Sequence, residues 1–103
     1  MPPDLSFLHQ QFSKQLYLLT AHASDRAAQR NIFSHEIEEV VLSGIVIEDY
    51  PADKYGPSCL IMGQTLAGRI LHIQVTYPPA IKVVTLYEPS LTEWEADLKT
   101  RKS

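Results

Sequence analysis

Apolar residues recur every three or four positions early in the chain and every second position later on. "DLSFLHQQFS" sets Leu5, Leu8 and Phe12 at helical spacing, which predicts a short N-terminal helix. "QLYLLT" is a compact apolar run and reads as a first strand. "TAHASDRAAQR", Thr20 to Arg30, then reads as a helix with Thr20 as its N-cap. Its apolar residues are all small (Ala21, Ala23, Ala27, Ala28), which lets a helix approach its neighbour closely. Asn31 tolerates the left-handed conformation that ends helices. Ser34 is the expected N-cap of a further helix, with Glu36 and Glu38 near its positive end. Ile37, Val40 and Val41 form its inner face, and Gly44 closes it.

From Ile45 the period changes to two. "IVIEDY" is a second strand, and "YPADKYGP" is a loop held by Pro51, Gly56 and Pro57. "SCLIMGQT" is a third strand, which "LAGR" turns back. "ILHIQVTY" is a fourth, with Leu71, Ile73, Val75 and Tyr77 on one side and His72, Gln74 and Thr76 on the other. That alternation marks an antiparallel strand with one covered and one accessible face. "PPA" turns the chain into "IKVVTLYE", a fifth strand. "SLTE", Ser90 to Glu93, is a capping box that predicts a final helix with Trp94 on its apolar side. The order is α-β-α-α-β-β-β-β-α, an α+β fold in which strands two to five form an antiparallel meander. The helices cover one face of that sheet. The other face is expected to be a shallow platform carrying His72, Gln74 and Thr76.

The 103 residues are enough for one domain with a single core, residues 1–103. No apolar run approaches the roughly 18 residues that span a bilayer. Asp4 precedes the first apolar residues and no basic region does, so the N-terminus does not read as a signal peptide. The one cysteine, Cys59, has no partner for an internal disulfide and is expected to pack as a small apolar residue. A cytoplasmic location is expected. The charge is unevenly placed. The net charge is −3, and residues 36–53 carry all their charge as acid: Glu36, Glu38, Glu39, Glu48, Asp49 and Asp53. Residues 54–87 carry only Lys54, Arg69 and Lys82. Nonspecific nucleic-acid binders are usually basic overall, so any nucleic-acid contact here must be local.

The phrases "HASDRAAQRNI", "EIEEVVLSG", "EDYPADKYGPSCLIMG" and "GRILHIQVTY", in this element order, resemble a family of small bacterial proteins of unassigned function. That family is similar to the RelE-like toxins, which include the RelE, ParE and MqsR types. The resemblance covers roughly residues 16–90 and leaves residues 1–14 as an N-terminal helical extension. It implies a RelE-like fold. It also implies the toxin of a type II toxin–antitoxin system, an RNA endonuclease that works without a metal. The implied partners are RNA and a cognate antitoxin protein, often one with a zinc-binding module; no membrane partner is implied.

Such cleavage uses the neighbouring 2′-hydroxyl as nucleophile. It needs a base for that proton, an acid for the leaving 5′-oxygen and cations for the pentavalent phosphorane. Histidine is the side-chain type best matched to proton transfer near neutrality, and arginine gives planar contacts to phosphate. His72, on the polar side of its strand, is the first candidate acid or base. His22, Arg26 and Arg30 stand four apart, one stripe on a helix, and are the next candidates: His22 for proton transfer, the arginines for phosphate. Lys54 and Tyr55, in the Pro/Gly-bounded loop, suit a phosphate and a stacked base. Arg69 opens the fourth strand as a further cation. Tyr77 and Tyr87 are expected mainly to pack. His9, His22, His35 and His72 are scattered without a zinc spacing, so no metal and no cofactor is expected. The competing reading is a non-catalytic interaction module or homodimeric binding domain with the same fold. The acidic net charge supports it, as does the lack of a second clear proton-transfer residue.

Overall fold

The computed structural model describes residues 5–54, 56–77 and 81–102. Eight elements follow one another: α1 (Leu5–Ser13), β1 (Leu18–Leu19), α2 (Ala21–Arg30), α3 (Ser34–Ser43), β2 (Ile45–Tyr50), β3 (Ser58–Gln64), β4 (Ile70–Thr76) and β5 (Lys82–Tyr87). The fold is α+β. Among the described residues, no helix is long and apolar enough to cross a membrane.

The five strands lie in the order β1-β5-β4-β3-β2. Strands β2 to β5 are consecutive antiparallel neighbours, while β1 pairs with β5 in parallel. Strands two to five thus pair as expected, and the parallel β1 makes the sheet as a whole mixed rather than a clean antiparallel meander. The first strand is also shorter than "QLYLLT" suggested. Only Leu18 and Leu19 join the sheet, because Gln15 adopts a left-handed φ of 59° and the chain turns there.

The helices cover one face. Leu8 and Phe12 of α1, Ala23 of α2, and Ile37, Val40 and Val41 of α3 pack on Cys59, Ile61, Leu71, Ile73, Val75, Val83 and Leu86. Thr20 caps α2 as the sequence implies: its Oγ1 accepts from the Ala23 amide at 3.1 Å. Asn31 ends that helix at φ 55°, ψ 48°. Only Ala23 of the small residues is buried; Ala27 packs partly, and Ala21 and Ala28 face solvent. The cap of α3 is Phe33, one residue before the expected Ser34. Its amide donates to Glu36 Oε1 at 3.0 Å, the return half of a capping box, while the Phe33 side chain itself makes no cap hydrogen bond. Close docking of α3 on β3 depends on Gly63. A Cβ there would lie 2.5 Å from the Val40 carbonyl oxygen.

The last helix does not form. Ser90 starts a single turn, accepting from the Trp94 amide at 3.0 Å. The chain then doubles back, with Trp94 bridged antiparallel to Arg101. Asp97 Oδ1 sets the reversal by accepting the amides of Lys99 at 2.8 Å and Thr100 at 3.1 Å. Residues 88–102 thus form a strap that crosses the second face of the sheet, and Trp94 is buried beneath it.

Candidate functional site

Two β-bulges decide which side chains stand on that second face. The pairing of β4 with β5 slips between Gln74 and Val75, so that Val75 faces Val83 while Gln74 faces Thr85 and His72 faces Tyr87. Val84 is the extra residue. It moves Thr85 and Tyr87 off the core parity of Val83 and onto the side of Gln74 and His72. A second slip, between Val46 and Glu48, sets Glu48 opposite Leu60 and Tyr50 opposite Ser58. Polar residues from β2, β4 and β5 thereby share one surface.

Three hollows open on this surface and join through common walls. The first, of about 390 Å³, is bounded by Arg26, Arg30, Thr85, Tyr87 and Arg101, with Glu88 and Glu93 at its rim. The second, of about 330 Å³, is bounded by His22, Asp53, Lys54, Gln74 and Thr85. The third, of about 280 Å³, adds Tyr50 and Leu60 and shares Asp53, Gln74, Thr85, Tyr87 and Arg101. Together they form one groove. α2 makes one wall, the strap and the β2–β3 loop make the other, and Gln74, Thr85 and Tyr87 form the floor. His22, Arg26 and Arg30 all line it. Lys54 joins them from the loop, whereas Tyr55 lies outside the described residues.

Arg101, which the sequence did not single out, faces the stripe from the strap. Its Nε donates to both Glu48 oxygens, at 2.9 and 3.1 Å, and its guanidinium lies 4.6 Å from the centre of the Trp94 ring. Tyr50 also donates to Glu48. Hydrogen bonding to Tyr50 and Glu48 holds the Arg101 guanidinium well above its ordinary range. Burial pushes the Tyr50 phenol up to about 12.

His72 is not on an open platform. It is fully buried, with Trp94 edge-on at 4.4 Å and Tyr87 at 5.2 Å between ring centres. Nε2 lies 2.7 Å from the Leu98 carbonyl oxygen and Nδ1 lies 3.2 Å from the Tyr87 hydroxyl. The strap covers it, so His72 is not itself part of the groove lining and meets it through Tyr87 and Trp94. Burial lowers its pKa, opposed by the Leu98 carbonyl.

Arg69 lies apart from the groove lining. Its Nη1 donates to the Asn31 carbonyl at 2.9 Å and pairs with Glu36 at 3.2 Å. Its Nη2 donates to the Arg30 carbonyl at 2.6 Å, and its Nε pairs with Glu88 at 3.2 Å. A cation at a helix C-terminus meets the carbonyls that the helix leaves unpaired. Arg69 thus ties the end of α2 to α3 and to the end of β5, and holds the Glu88 carboxyl below its usual range. Burial pushes the Cys59 thiol up to about 12, in keeping with its place in the core. Among the described residues, no three His, Cys, Asp or Glu side chains are grouped to hold a metal ion.

A family model described as a domain of unknown function, DUF4258, matches residues 19–88. The chain belongs to this family. In this DUF4258 member the matched span supplies α2 and the groove floor, while the strap with Trp94 and Arg101 lies beyond it. No curated protein and no solved structure is similar enough to match.

Proposed function

We propose that the groove binds RNA along α2 and cleaves it without a metal, as a RelE-like toxin restrained by an antitoxin protein. One observation carries the reading. His22, Arg26 and Arg30 line a single groove and face Lys54 and Arg101 across its floor. Four basic side chains and an imidazole converge there although the chain is acidic overall. Glu48 pairs with Arg101 and Glu88 with Arg69, while Asp53 and Glu93 also border the groove.

In this reading the 2′-oxygen attacks phosphorus, and His22 takes the hydroxyl proton. The bond to the 5′-oxygen breaks, and that oxygen takes a proton from water. Arg26, one turn along α2 from His22, meets the charge that grows on the phosphorane, and Arg30 holds the next phosphate. The products are a 2′,3′-cyclic phosphate and a 5′-hydroxyl. The test is incubation of the purified protein with end-labelled RNA in excess chelator. Fragments with cyclic-phosphate ends are expected, and they should disappear with His22→Ala. RNA that stays intact contradicts the reading.

A second reading, association through a sheet edge, is favoured by a different place. Leu16 and Leu18 are 56 % and 66 % exposed at or beside β1, one of the two edge strands. An open edge of this kind suits pairing with a second copy of the chain. Sedimentation of wild type against Leu18→Glu tests it: a dimer lost in the variant supports this reading, and a monomer throughout removes it.

A further inference from the structure

The hydrogen-bond polarity of the groove floor is set from beneath. A carbonyl oxygen only accepts, so the 2.7 Å contact with Leu98 requires the proton of His72 to sit on Nε2. In the neutral ring Nδ1 is then bare and can only accept. The Tyr87 hydroxyl, 3.2 Å away, therefore donates its single proton to His72. Burial favours both states, since it disfavours the charged imidazole and pushes the Tyr87 phenol up to about 12. The Tyr87 oxygen has only lone pairs left. Whatever lies against it in the groove must supply a donor.

We propose that Tyr87 is a specificity-determining residue that selects ribose over deoxyribose by accepting a hydrogen bond from a 2′-hydroxyl. The inference rests on the RNA reading above and deepens it. Side chains four apart on α2 are separated by about 6 Å along the axis. That is close to the spacing of successive phosphates in an extended strand. Arg26, Arg30 and Tyr87 surround the same hollow, so phosphates held by the arginines bring the intervening sugar to the tyrosine. A phosphate offers only acceptors and does not satisfy Tyr87. A 2′-hydroxyl donates, and it is the group that distinguishes RNA from DNA. His72 is the positioning residue in this arrangement, and Leu98 fixes its tautomer.

The test compares binding of one sequence as RNA, DNA and 2′-O-methyl RNA, the last keeping an acceptor but no donor. Fluorescence anisotropy is read on a His22→Ala background to prevent cleavage. RNA is expected to bind about tenfold more tightly than either analogue, the effect of one hydrogen bond. Adding Tyr87→Phe should bring RNA down to the DNA level and leave DNA binding unchanged. Nitrogen-15 spectra of His72 should show the proton on Nε2. Equal binding of RNA and 2′-O-methyl RNA overturns the inference, as does a preference that survives Tyr87→Phe or a proton on Nδ1. If neither RNA nor DNA binds, the RNA reading itself fails and takes this inference with it. Binding of both without preference removes the inference alone.

Discussion

The carbonyl oxygen of Leu98 lies 2.7 Å from Nε2 of His72, and this contact fastens the C-terminal strap to the sheet it covers. Leu98 holds a left-handed φ of 59°, a conformation that costs a non-glycine residue about 1–3 kcal/mol. The hydrogen bond and the packing of Trp94 on His72 offset that strain. His72→Ala removes the acceptor for Tyr87, the donor for Leu98 and the surface under Trp94. A loss of about 2–4 kcal/mol is expected. Trp94 is the one tryptophan, so its emission reports the release directly. A red shift at a denaturant concentration where wild type is still folded is the expected result.

The same histidine sets a pH dependence. Burial lowers its folded pKa beneath the ordinary value near 6.5. Below about pH 6.5 the unfolded chain binds this proton before the folded chain does. Stability is therefore complete above that value and falls as the pH drops toward the folded pKa, by up to about 1.4 kcal/mol per pH unit. Urea titrations at stepped pH should show that slope, and His72→Gln should flatten it.

Arg26 and Arg69 should separate binding from stability. Arg26→Ala changes a groove wall and should leave stability within about 0.5 kcal/mol. It should weaken RNA binding and lower the salt slope by about one. Arg69→Ala frees the Arg30 and Asn31 carbonyls and parts Glu36 from Glu88. Its side chain is 22 % exposed, so the expected loss is modest, about 1–2 kcal/mol. Thermal melts and binding isotherms on both variants check the contrast.

Gly63→Ala tests the approach of α3 to β3. The added Cβ would lie 2.5 Å from a backbone oxygen and 3.0 Å from Val40 Cγ1. Backbone cannot yield cheaply there, so a loss of about 1–3 kcal/mol is expected in chemical denaturation.

Helix α2 was legible because its signals are local: a threonine cap, an asparagine stop and a basic residue at every fourth position. The core parity of β4 was legible for the same reason. The strap was not. "SLTE" does start a turn, but Asp97 and the seat of Trp94 on His72 redirect the chain, and those are long-range facts. The two bulges were also hidden. Alternation in "KVVTLY" puts Tyr87 with Val83, and only the extra residue Val84 moves it to the groove. His72 was placed on the right face. Its accessibility was misjudged because Tyr87, Trp94 and Leu98, which pack on it, all come from later in the chain, Tyr87 15 and Leu98 26 positions on. The stripe of α2 acquires meaning through the groove it borders, which needed the sheet, the bulges and the strap together.

The most direct measurement is an NMR titration of the isotope-labelled protein with a short unstructured RNA. Shifts clustered at His22, Arg26, Arg30, Thr85 and Arg101 are the predicted result. Shifts confined to the β1 edge around Leu16 and Leu18, or no shifts at all, would contradict the account.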